Sequence, residues 1–156
     1  MAAGAFIIPN KAKLNIANAT SLLSANTANF RLALVSSAWT PDNGDTGNEV
    51  WADVSANEIA NGNGYTTGGG ALTSVALTMS SGVVKFTSAA YVWTASGSGI
   101  PAWRRAVLYY LGTLNSKTNP LIAHCLGDST PADVPLTTSG NTLTITPNSS
   151  GILTFT

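Results

Sequence analysis

Trp103-Arg-Arg-Ala-Val-Leu-Tyr-Tyr-Leu111 is the most apolar stretch of the chain, and its reading decides the fold. At the two-residue period of a strand, Trp103, Arg105, Val107, Tyr109 and Leu111 fall on one side, and Arg104, Ala106, Leu108 and Tyr110 on the other. Both sides carry apolar bulk. The segment therefore reads as a central strand.

Outward from it, the same period recurs. Downstream, Asn119-Pro120 breaks the chain before a second apolar run, Leu121 to Leu126. Thr142-Leu-Thr-Ile-Thr146 then alternates cleanly, Pro147-Asn-Ser-Ser-Gly151 turns, and Ile152 to Thr156 gives a last strand. Upstream, Tyr91-Val-Trp93 is a strand before the loop Ser96-Gly-Ser-Gly99. Val84 and Phe86 follow the turn Ser80-Ser-Gly82, and Ala71, Thr73, Val75, Leu77 and Met79 are expected to share one face. Phe30 to Val35 alternates with apolar residues on both faces. Gly62 to Gly70 reads as a loop anchored by Tyr65, and residues 48–60 as locally helical at best, with Ser55 and Glu58 at capping-box spacing.

Seven or eight short strands separated by turns predict an all-β protein, an antiparallel β-sandwich. Residues 1–10 read as an extended N-terminal arm, and 11–156 as one domain. Asn10 is placed to cap a short helix running to about Asn18, with Leu14 and Ala17 on one face.

Composition narrows the function classes. The chain has 156 residues with seven Lys or Arg, seven Asp or Glu, and a formal net charge of zero. Its charged fraction is 9%, against roughly a quarter in ordinary soluble domains. Solvation falls to 20 Thr, 16 Ser and 14 Asn. A neutral chain lacks the cationic surplus that phosphate contact needs, so nucleic acid is not an expected partner. A charge-poor surface is weakly protected against association, which suits a component of an assembly. The longest apolar runs fall far short of a bilayer span, so no membrane role is expected. The start has an apolar patch at Phe6-Ile7-Ile8 without the basic region and longer apolar stretch of a signal peptide, so a non-secreted chain is expected.

Chemistry-bearing residues are sparse. His124, the only histidine, adjoins Cys125, the only cysteine. Neighbours on a strand point to opposite faces, so a Cys–His dyad is not expected there. No cofactor and no metal centre is expected: zinc-type ligands are lacking, and the acids Asp42, Asp45, Glu49, Asp53 and Glu58 do not have EF-hand spacing. The glycine run at 62–70 lacks the Lys-Ser/Thr ending of a phosphate loop, and no G-x-S-x-G is present. The expectation is a protein without catalytic residues.

Binding residues are easier to nominate. Trp39, Trp51, Trp93 and Trp103 could stack on sugars or fill the core, with Trp39 placed to clamp a loop. Arg104 and Arg105 suit either an interface or a strand end reaching water. The apolar arm Phe6 to Pro9 can add a strand to a neighbour's sheet or fray. Asp42 and Asp45, in the loop Trp39–Gly47, are a candidate complement to Arg104 and Arg105 between copies.

The order of motifs is informative as a set. Lys13-Leu-Asn-Ile-Ala-Asn-Ala-Thr20, Asn29-Phe-Arg-Leu-Ala-Leu-Val-Ser36 and Thr40-Pro-Asp42 open the series. Val50-Trp-Ala-Asp-Val54, Ala56-Asn-Glu58 and Gly62-Asn-Gly-Tyr-Thr-Thr-Gly-Gly69 continue it. Val92-Trp93, Arg105-Ala-Val-Leu-Tyr-Tyr110, Asn119-Pro-Leu-Ile122 and Thr144 to Thr156 complete it. Over residues 11–156 this pattern resembles a family of tailed-bacteriophage virion structural proteins. It departs at 94–104, where Ser-Gly-Ser-Gly-Ile-Pro replaces a shorter polar loop. The resemblance implies a virion location and a capsid decoration (cement) role. The partners it implies are the major capsid protein and neighbouring copies of the chain. A neck, tail or fibre component acting as a receptor- or glycan-binding module is the other role it allows.

Overall fold

The computed structural model describes residues 4–18, 29–130 and 132–155. Residues 1–3 of the expected arm, Ala19 and Thr20 of the first motif, and Thr156 of the last expected strand lie outside them. The fold is β-rich, with antiparallel sheets in sandwich-like layers and a short N-terminal helix.

The helix is α1 (Asn10–Asn18), and the strands are β1 (Phe30–Val35), β2 (Gly70–Ala71), β3 (Ala76–Ser80), β4 (Val83–Thr87), β5 (Tyr91–Thr94) and β6 (Arg105–Tyr110). They continue as β7 (Thr113–Leu114), β8 (Lys117–Thr118), β9 (Leu121–Leu126), β10 (Thr142–Ile145) and β11 (Leu153–Phe155). All eight expected strand regions are present. The two-residue strands β2, β7 and β8 are additions, too short to leave a period.

The main sheet has the order β2-β1-β6-β9. The quoted stretch supplies β6, which sits between β1 and β9 and buries Ala106, Val107, Leu108 and Tyr109. Its first residues do otherwise. Trp103 leaves the sheet and exchanges two backbone hydrogen bonds with Val134, at 3.1 and 2.8 Å, so its indole joins the main core rather than the Val107 face.

Each face of the main sheet carries a cluster. Phe30, Leu32, Leu34, Ala106, Leu108, Ala123 and Cys125 face Phe86 and Leu153 of the sheet β11-β4-β3, and Trp93 and Ile145 of the sheet β10-β5. On the opposite face, Ala33, Val35, Val107, Tyr109 and Leu121 are covered by Trp39, Trp51 and Val54 from the connection after β1. Burial on both faces explains why β1, β6 and β9 read as nearly continuous apolar runs.

Three expectations are corrected. Ala71 to Met79 does not form one face, because Ser74 adopts φ 51° and breaks the alternation. Leu72 and Val75 go into the core instead, leaving Leu77 39% and Met79 76% exposed. On α1, the buried residues are Ala12 and Asn15, and Leu14 is 57% exposed. Polar docking sets that face: Asn15 Nδ2 reaches Glu49 at 3.5 Å, and its carbonyl accepts from Asn115 Nδ2 at 3.1 Å. The capping box at Ser55 is absent, because Glu58 turns to Tyr65 and Gly68 instead. Residues 51–53 and 55–57 are 3₁₀ turns, in keeping with weak local helicity.

The loop 62–70 is anchored by Tyr65, as expected, and the structure shows how. Its hydroxyl donates to Glu58 Oε1 at 2.7 Å and accepts from the Leu34 amide at 3.0 Å. Gly69, at φ 68°, lies so close to the Leu32 carbonyl that a Cβ would overlap it, and a Cβ on Gly70 would enter the Tyr91 ring. Glycine is required at both positions by close approach. Removing the Tyr65 hydroxyl leaves the buried Leu34 amide unpaired and takes from Glu58 Oε1 one of its two donors, the Gly68 amide remaining. Tyr65→Phe should therefore lose about 1–3 kcal/mol. Urea titration should show a lower midpoint at an unchanged slope.

Candidate functional site

The residues nominated for partner contact meet different fates. Gly4 to Pro9 run extended along β9 of the same chain. The Ile7 amide donates to the His124 carbonyl at 2.7 Å, the His124 amide to Ile7 at 3.0 Å, and the Gly4 amide to Leu126 at 3.0 Å. Phe6 and Ile8 pack against the main core, Pro9 is buried, and Ile7 stays half exposed. The arm is thus an edge strand laid on its own sheet.

Trp39 is only 5% exposed and meets the His124 ring edge-on at 5.4 Å, so it has no face for an outside ligand. Asp42 Oδ1 accepts from the Gly44 amide at 3.0 Å, and Asp45 Oδ1 accepts from Asn10 Nδ2 at 2.9 Å. Both acids stay exposed; Asp45 ties the loop to the start of α1, and Asp42 braces the loop internally. Arg104 Nε pairs with Asp133 at 2.7 Å. Arg105 is half buried beside it, with its guanidinium pKa lowered by burial and then by Arg104. The structure does not bring the two arginines to the Asp42–Asp45 loop by any ion pair among the described residues. The loop 96–103 is stitched down through Ile100 and Trp103, both buried.

His124 and Cys125 take opposite faces, as strand geometry requires. Cys125 lies in the main core, where burial pushes its thiol up to about 12. His124 lies on the other face, 1% exposed, with Nε2 2.9 Å from Asn43 Oδ1. The two side chains do not meet as a dyad. Among the described residues, no three His, Cys, Asp or Glu gather in metal-ligand geometry.

Two surfaces missed in the sequence stand out. The first is β3. It ends the order β11-β4-β3, and no described strand pairs with its outer edge. It carries no charge, and Leu77 and Met79 share one exposed side of it. The turn at Ser81-Gly82, both at positive φ, was the available signal: a tight hairpin can project beyond the core it starts from.

The second is a cleft of about 580 Å³ between α1, residues 46–55 and the β7–β8 hairpin. Lys11, Glu49, Asp53 and Lys117 line it, with Trp51 in its wall. Glu49 pairs with Lys117 at 3.0 Å and Lys11 at 3.9 Å. Its carboxyl is held below the usual range, chiefly by the hydrogen bond from Lys117. Asp53 Oδ2 accepts from the Glu49 and Val50 amides at 2.8 and 3.0 Å, which fixes the turn that presents Trp51. That indole is half-buried and stacks on Tyr109, with centroids 4.7 Å apart and 10° between planes. Glu49 and Lys117 are far apart in sequence, so only the fold could join them.

No protein-family model matches the chain, and neither a curated protein nor a solved structure matches it.

His124 also sets a pH response. Burial first, and Arg105 second, push its pKa down to about 4. In the unfolded chain the imidazole takes its proton near pH 6.5; in the folded chain it resists until about 4. Stability should therefore fall as pH drops from about 6.5 to about 4, by roughly 3 kcal/mol, and this dependence should level off below. Denaturation midpoints across that range check it, and His124→Gln should flatten the slope between pH 5 and 6.5, where no other side chain ordinarily titrates.

Proposed function

We propose that the chain is a structural protein of a tailed-bacteriophage particle, most specifically a capsid decoration protein. In this reading it binds the outer surface of the major capsid lattice in many copies and holds adjacent subunits together, without catalysis. The observation that carries the proposal is the outer edge of β3, which no strand among the described residues pairs with. Natural sheets guard free edges with charge, proline or a bulge, because an open row of amides and carbonyls templates pairing. β3 has none of these guards over Ala76–Ser80, and it exposes Leu77 and Met79 beside that edge. Such an edge is tolerable when a permanent neighbour covers it.

The rest of the surface supports the reading. Ile7, Val92 and Leu136 are also exposed, and few charges have to be stripped of water when a partner docks. An interface of about 1,600 Å² is sufficient for stable binding. The arm contributes a second route: its bonds to β9 can be re-formed with a neighbouring copy's β9 at little cost, as in strand exchange.

Copy number tests the location. Quantitative mass spectrometry of purified particles should give copies in proportion to the major capsid protein; a few copies confined to tail fractions would overturn it. Met79→Lys tests the surface. The variant should keep the wild-type melting temperature, because Met79 is 76% exposed, yet co-sediment with empty capsid shells at least tenfold more weakly. Undiminished binding would remove β3 from the interface.

A further inference from the structure

The cleft around Trp51 is built for a different occupant from the apolar β3 edge. Four of the chain's scarce charged side chains, Lys11, Glu49, Asp53 and Lys117, line this one depression. Two are cationic and two anionic, so the cleft as a whole is neutral. Thr46, Ser116 and Asn119 add uncharged donors and acceptors to the rim. One wall is aromatic, and Tyr109 holds the indole of Trp51 from behind by stacking. Its volume falls within the roughly 300–1,000 Å³ of small-molecule sites.

The hairpin wall keeps a side chain at a turn position that suits glycine. Asn115 and Ser116 occupy the β7–β8 turn at φ 47° and 61°. Asn-Gly is the usual pair at such turn positions, so Asn115 is ordinary and Ser116 stands where glycine is favoured. Ser116 also lines the cleft.

We propose that this cleft binds a neutral saccharide, with one pyranose face against Trp51 and its hydroxyls on the polar rim. The chemistry matches on both counts. The C–H face of a sugar ring is apolar enough to pack on an aromatic plane, and its hydroxyls both donate and accept. Lys117, Ser116 and the Asn119 amide nitrogen supply donors, and Glu49 supplies an acceptor, the Asn119 side-chain oxygen being taken by the Gly112 amide. A phosphate or other strong anion fits less well, because Glu49 already engages both lysines. The site lies on residues 46–55 and 115–119, away from β3, and does not rest on the particle reading.

The test is an array of neutral and acidic oligosaccharides probed with the full chain, followed by titration calorimetry on the best binder. Saturable binding to a neutral glycan is expected. Trp51→Ala should weaken it by roughly tenfold or more, and Trp51→Phe should restore part of the loss. Trp51→Ala also removes packing on Tyr109, so Ser116→Gly serves as the fold-neutral variant. It relieves a positive-φ serine and should keep the melting temperature while lowering affinity several-fold. Absence of binding to every neutral glycan, preference for acidic ones alone, or affinity unchanged in both Trp51→Ala and Ser116→Gly would overturn the proposal.

Discussion

The fold depends on closing the edges of one sheet. β6 is buried on both faces, so its neighbours β1 and β9 must be present, and their outer amides and carbonyls then need partners of their own. Among the described residues no long strand supplies them. Beside β1, the work is shared among Leu72 on the Phe30 carbonyl, the short β2, the Tyr65 hydroxyl on the Leu34 amide, and Ile59 on the Leu34 carbonyl. Beside β9, Leu121 donates to the Glu49 carbonyl, and the arm takes up His124 and Leu126. Irregular segments from four parts of the chain thus complete a sheet that only four strands define.

This explains what could be read in advance. β1, β6 and β9 lie between two apolar layers, and such strands announce themselves as unbroken runs, so the architecture was legible. The edge devices were less so. Tyr65 was visible as an anchor because one large ring stood in a glycine-rich loop, but its partners Glu58 and Leu34 were not. Leu77 and Met79 misled because alternation says which residues share a side, not whether anything lies against it. Trp39 and Trp51 looked alike in sequence. One is sealed against His124, and the other borders a cleft, a difference made by the loop path between them. Arg104 and Arg105 were legible as cations facing opposite ways, but not that Asp133 would hold one while the other is half buried.

The scarcity of charge takes on a sharper meaning in the folded chain. Glu49 is used on Lys11 and Lys117, Asp133 on Arg104, and Glu58 on Tyr65. Asp45 holds Asn10, and Asp53 fixes a turn. Much of the ionic inventory therefore serves to dock loops and the helix. Thr, Ser and Asn are left to meet the solvent, and such a surface responds less to salt than a conventionally charged one.

The arm adds a consequence in time. Its place on β9 does not exist until Leu121 to Leu126 have been synthesised, so the arm leaves the ribosome long before its seat is made. The same holds for β1, whose central partner β6 comes much later in the chain. Sheets wired through such distant pairings form slowly, because the loops must close before any contact rewards them. Throughout that delay Phe6, Ile7 and Ile8 are uncovered. Where many copies are made at once, an arm settles on whichever β9 is completed first, its own or a sister chain's, and the share of each is decided by protein concentration during synthesis.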